Sequence, residues 1–128
     1  MRNETTIEQT RALAAAGIDP STASYCWVLP FEGDTLLREP MLVAARATDD
    51  ALPCWTLADL LALLPVSVGL HQLRLLPSGG GRWLLEYRYM CGVASVLHDE
   101  MGTELVDMCA AMLVWLQENG HLGSPRMD

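Results

Sequence analysis

The chain has 128 residues, 51% of them hydrophobic, and sixteen acids oppose eight bases for a formal net charge of −8. That length suits a single domain, 1–128, with room for one core, and that apolar fraction excludes disorder over most of it. The negative balance excludes nucleic acid and anionic membrane surfaces as expected partners, because both call for a basic footprint.

The first residues contain no apolar segment of signal-peptide length, and no run reaches the roughly 18 apolar residues of a membrane span. A cytoplasmic protein is the expectation. The N-terminal few residues and 123–128 are expected to be loose.

Residues 5–16 read as a helix, with Ile7, Leu13 and Ala14 among polar positions and Gly17 as its stop. Asp19 before Pro20 has the form of an N-cap followed by Pro at the first helical position, which gives either a short second helix or a simple turn. From Tyr25 to Pro53 the pattern is weak. "YCWVLP" and "MLVAAR" can be strands, but four prolines and glycines break the region into one or two short strands and loops.

"CWTLADLLALLP" has the signals of a capped helix over 56–64. Thr56 can cap the amides of Ala58 and Asp59, and Trp55 and Leu60 are spaced for a hydrophobic staple. Leu57, Leu60, Leu61 and Leu64 form its apolar face, and Pro65 ends it.

"LHQLRLLPSGGGRWLLEYRY" alternates with period two on both sides of a Ser-Gly-Gly-Gly turn, which predicts a β-hairpin with strands 70–76 and 82–89. The pairing expected is Leu75 with Trp83, Leu73 with Leu85 and His71 with Tyr87. Arg74 and Glu86 then lie diagonally on the wetter face. Residues 90–101 either prolong the second strand or form a third. Thr103–Asn119 reads as a long helix with Gly120 at its C′ position, and Asp99 or Thr103 is the expected cap.

This last helix carries eight consecutive apolar residues, Cys109 to Leu116. A stripe from Leu105 to Leu116 is enough to dock on a sheet. Val106, Ala110, Leu113 and Val114 then remain, and they are the expected interface with a second copy or another protein. The competing reading is that the N-terminal helix covers them through Ile7, Leu13 and Ala14.

Candidate chemistry is sparse. Cys26, Cys54, Cys91 and Cys109 contain no CxxC pair, and His71, His98 and His121 are far apart, so no metal, cofactor or disulfide framework is assigned. Cys91 paired with His98 or His71 is a conceivable nucleophile, but buried structural thiols are the stronger reading. "HDE" at 98–100 reads as a solvated turn ahead of the helix rather than an acid–base site. The glycine turn is not a phosphate loop, because a P-loop needs a lysine and the chain has none.

At "PCWTLADLLALLP", "WLLEYRY" and "DMCAAMLVWLQENGHL" the chain resembles a group of small proteins encoded in prophage and other mobile-element regions of gut bacteria. The shared positions are Trp55, Thr56, Leu57, Leu64, Pro65, Tyr87, Trp115, Leu116, Asn119 and Gly120. They are caps and core. The resemblance therefore implies origin and fold, and it carries over no catalytic residue.

The sequence predicts an α+β domain: a small antiparallel sheet built on the 70–76/82–89 hairpin, packed against the long C-terminal helix with the 56–64 helix beside it. The function it favours is a non-enzymatic accessory or protein-interaction protein of a mobile element, possible as a homodimer. The alternative is a small enzyme with its site in residues 25–53 or around His98.

Overall fold

The computed structural model describes residues 3–28, 31–32, 35–36, 41–44, 52–89 and 95–122. Its elements are α1 (Ile7–Ala15), a 3-10 turn (Pro20–Thr22), β1 (Tyr25–Val28), β2 (Phe31–Glu32), β3 (Thr35–Leu36), β4 (Met41–Ala44) and β5 (Leu52–Cys54). They continue with α2 (Leu57–Leu63), β6 (Ser67–Val68), β7 (His71–Gly79), β8 (Arg82–Tyr89), β9 (Ser95–Gly102) and α3 (Leu105–Glu118). The fold is α+β. A four-stranded antiparallel sheet, ordered β6-β7-β8-β9, backs α3. A three-stranded sheet, β4-β1-β5, and the two-stranded ribbon β2-β3 make up the rest.

The helices begin and end where side chains can satisfy their orphan amides and carbonyls. In α1, Thr6 Oγ1 accepts from Gln9 N at 3.2 Å and Gln9 Oε1 accepts from Thr6 N at 3.0 Å, a capping box. Its C-terminus closes with Ile18 N donating to Leu13 O and Gly17 N to Ala14 O, and Leu13 and Ile18 are both buried. Thr56 and Asp59 exchange the same pair of bonds at α2, and the staple residues Trp55 and Leu60 are fully buried. Leu61, assigned to the apolar face of α2, is instead 40% exposed, while Leu63 packs against the core.

Asp19 and Pro20 do open a short helix, a single 3-10 turn with Asp19 accepting from Ser21 N. The stretch from 25 to 53 carries more strand than its sequence suggests. Pro53 is tolerated because β5 is the edge of its sheet and Pro53 faces Cys26 there. Of the N-terminal residues expected to be loose, Asn3 to Thr5 are bonded to the start of α2: Leu57 N donates to Asn3 O at 2.8 Å and Thr5 N to Trp55 O at 2.9 Å. Residues 123–128 lie outside the described residues.

The β7–β8 hairpin keeps the expected alternation, with Leu85 and Tyr87 in the core, but Leu75 is 40% exposed, Glu86 on the face expected to be wetter is buried, and the register is shifted by two. Leu75 faces Leu85, Leu73 faces Tyr87 and His71 faces Tyr89. The turn is tighter than the whole Ser-Gly-Gly-Gly run. Gly79 pairs with Arg82, so only Gly80 and Gly81 turn, with φ of +62° and +76°. Positive φ at both central residues suits the twist of the strands. The bulge between Pro77 and Gly79 absorbs Ser78. A shift of two keeps every side chain on its face, and a shift of one would have inverted the sheet.

Residues 95–102 form a third strand of this sheet, not an extension of the second, and "HDE" is therefore strand, not turn. The cap position of α3 is Glu104, with no side-chain cap bond, so neither Asp99 nor Thr103 caps it. Asp99 instead faces Glu86 across the sheet.

The core is built around α3. Val106, Met108, Cys109, Ala110, Met112, Leu113 and Leu116 are all buried. The sheet contributes Leu85 and Tyr87, α2 contributes Leu60 and Leu64, and α1 contributes Leu13. A helix apolar over most of its circumference must be covered on several sides, and three elements of this chain do so.

Candidate functional site

Three of the four residues expected at an interface are interior. Val106 and Leu113 are fully buried, and Ala110 nearly so, because α1 and α2 both pack on α3. The N-terminal helix supplies cover through Leu13, whereas Ala14, which the competing reading also named, is exposed. Val114 remains half-buried, and it lines a cleft.

That cleft, of about 410 Å³, opens where α1, β9 and α3 meet. Its floor is small and apolar: Ala12 from α1, then Ala110, Ala111 and Val114 from α3. Trp115 forms a wall. Three carboxylates stand around it, Glu100 on β9 and Asp107 and Glu118 on α3. A second hollow shares Glu100, Asp107 and Ala111 with the first and runs past the β9–α3 turn, adding Glu104. No basic side chain is among the described residues lining either hollow.

The helical spacing explains the arrangement. Asp107, Ala111, Val114 and Glu118 follow one another at three or four residues, so they share one face of α3. The sequence shows this face as the thinner side of the helix. Small residues there let α1 approach, while the acids flank the opening. Gln9 is the tie between the two helices: its Nε2 donates to Asp107 Oδ1 while its Oε1 serves the capping box of α1.

His98 stands at the rim. Its ring stacks on Trp115 with centroids 4.2 Å apart and planes 12° from parallel. Its Nε2 lies 2.6 Å from Glu100 Oε2. His121, just past α3, also lies against Trp115, at 5.4 Å and 21°. Two imidazoles and a carboxylate thus fix the indole. The cluster was hidden in the sequence because it depends on how β9 packs against α3, which the periodicity of neither element sets.

Two of the thiols, Cys54 and Cys109, are poor nucleophiles. Burial pushes Cys54 above the ordinary thiol range, and pushes Cys109 up to about 11. Cys26 is buried as well. Cys91, and with it the conceivable Cys–His pair, lies outside the described residues. Among the described residues no Ser, Thr or Cys side chain is hydrogen-bonded to His98. No group of three or more His, Cys, Asp or Glu among the described residues can hold a metal ion. The Ser95–His71 contact, 3.4 Å and exposed, is at the limit of a hydrogen bond.

On β8, Trp83 packs against the core and Tyr87 belongs to it. Tyr87 is fully buried, and its hydroxyl donates to Pro65 O at 2.7 Å, tying the sheet to the end of α2. Burial pushes that phenol up from its ordinary value. No family model, curated protein or solved structure matches the chain. No described helix is long and apolar enough to cross a membrane.

Proposed function

We propose that the protein is a non-enzymatic, cytoplasmic interaction protein, and that the cleft between α1, β9 and α3 receives a basic side chain of its partner. One observation carries the reading: Glu100, Asp107 and Glu118 surround an apolar floor beside Trp115. An arginine suits such a site. Its alkyl stem covers Ala111 and Val114, and its guanidinium meets carboxylates. The cleft volume falls within the range of ligand sites. The setting proposed is a mobile element, which rests on the sequence resemblance. A second copy of the chain is one source of the arginine, since all eight bases are Arg.

The test is calorimetric titration with a short arginine-containing peptide and with the same peptide carrying neutral citrulline. Binding of the first alone, weakened by salt and by Asp107→Asn or Glu118→Gln, supports the reading. Equal binding of both, or of neither, rejects it.

The second reading, a small enzyme, draws on the His98–Glu100 bond at the rim of the cleft. A carboxylate-oriented imidazole is the form a general base takes. Under that reading, His98→Ala abolishes a turnover.

A further inference from the structure

We propose that Asn119 and Gly120 form a self-modification site, held silent by the cap of α3 and released when its last turn opens. The inference is independent of the cleft's occupant. Asn-Gly occurs once in the chain. Its chemistry requires only water. The Gly120 amide nitrogen attacks Asn119 Cγ and forms a five-membered succinimide. The Cγ–Nδ2 bond breaks and the nitrogen leaves as ammonia. Water then opens either ring carbonyl, giving Asp or its iso-aspartyl isomer. Glycine leaves the attacking nitrogen unshielded, so Asn-Gly is the sequence most open to this reaction.

In the folded chain every participant is engaged. Asn119 Nδ2 donates to Trp115 O at 2.8 Å. Gly120 N donates to Gln117 O at 3.2 Å, and His121 N to Leu116 O at 2.8 Å. These last two bonds make a Schellman cap, with Gly120 in the left-handed region at φ +77°. Asn119 has ψ of 11°, which nearly eclipses the Gly120 nitrogen with the residue's own nitrogen and turns it away from the side chain. Attack therefore needs the cap to open first. Asn119, Gly120 and His121 are all exposed, so opening is a local event of low cost compared with global unfolding.

The product cannot restore what it breaks. An aspartate at 119 loses the side-chain donor to Trp115 O and leaves that carbonyl with the residue's backbone amide alone. It also adds a negative charge beside Glu118, at the end of the helix that already carries partial negative charge. An iso-aspartyl linkage lengthens the backbone by one carbon and cannot rebuild the cap. The change is one-way, and it loosens the turn that follows Trp115 and Glu118, both of which line the cleft.

The experiment incubates three samples at neutral pH and follows residue 119 by peptide-mapping mass spectrometry: folded protein, urea-unfolded protein, and folded Leu122→Ala. Leu122 is half-buried against the core, and its truncation loosens the cap without touching the reacting pair. The proposal expects conversion at least about tenfold slower in the folded parent than in the unfolded chain, as local opening free energies imply. It expects an intermediate rate in Leu122→Ala. Equal rates folded and unfolded, no conversion in urea, or a Leu122→Ala rate equal to the parent's would each overturn it. Asn119→Asp adds a second readout: faster amide hydrogen exchange across residues 117–121 supports the one-way loosening, and unchanged exchange contradicts it.

Discussion

Arg74 and Glu86 face one another directly across β7 and β8, and Glu86 is only 1% exposed. The carboxylate also accepts two bonds from Arg88, at 2.7 Å from Nε and 3.2 Å from Nη2, while Arg74 stands off at 3.6 Å. A buried carboxylate depends on its donors, and the nearer pair dominates. Arg74→Ala is therefore expected to cost under about 1 kcal/mol, like other partly exposed ion pairs. Arg88→Ala should lower the denaturant midpoint further. The reverse order in urea melts would contradict the assignment of donors.

Leu113 and Leu61 differ in what surrounds them, although both are helical leucines. Leu113 is fully buried between elements, and Leu61 lies on the surface of α2. Leu113→Ala is expected to destabilise by about 2–5 kcal/mol through the cavity it leaves. Leu61→Ala should fall within about 0.5 kcal/mol of the parent, as surface substitutions do. Equal costs in chemical denaturation would mean that α3 is not the centre of the core.

The elements legible in the sequence were those fixed by local chemistry. The Thr56–Asp59 capping box, the Trp55–Leu60 staple and the Gly120 cap follow from neighbours within a few residues. The hairpin's alternation was legible from period two, but the burial of Glu86 and the exposure of Leu75 were not. Its register was not, because a bulge at Ser78 and the choice of which two glycines turn are not encoded in alternation. The cleft was hidden for a related reason. His98, Glu100 and Trp115 come from two elements, and Gln9 and Ala12 from a third. Only the cover that α1 gives α3 decides which part of a greasy helix stays at the surface.

Asp59 gives stability an acid limb. Burial raises its carboxyl, but bonds from Thr56 N, Ser24 Oγ and Ser24 N outweigh that and hold it below the ordinary range. A depressed folded-state value means the contribution is present above the unfolded value and lost as pH falls through the folded one. Stability should therefore decline below about pH 4, where an unfolded Asp takes up its proton. Asp59→Asn should flatten the decline measured by urea melts between pH 4 and lower pH. An unchanged slope would remove Asp59 from the cause.

Cys54 and Cys109 are buried and raised above the ordinary thiol range. In native protein at mildly alkaline pH, both should react with a disulfide reagent only as fast as the chain opens. In urea both should react at once. Rapid labelling of Cys109 in the native state, located by peptide mapping, would contradict its place beneath the sheet.

The docking place of a basic side chain is the decisive observable. Amide-resolved NMR titration of the labelled protein with the short arginine-containing peptide locates it directly. Shifts are expected to concentrate at Ala12, Glu100, Ala111, Val114 and Trp115, and Asp107→Asn is expected to weaken them. Shifts confined to another surface, such as the exposed Val66 and Leu70, would contradict that placement.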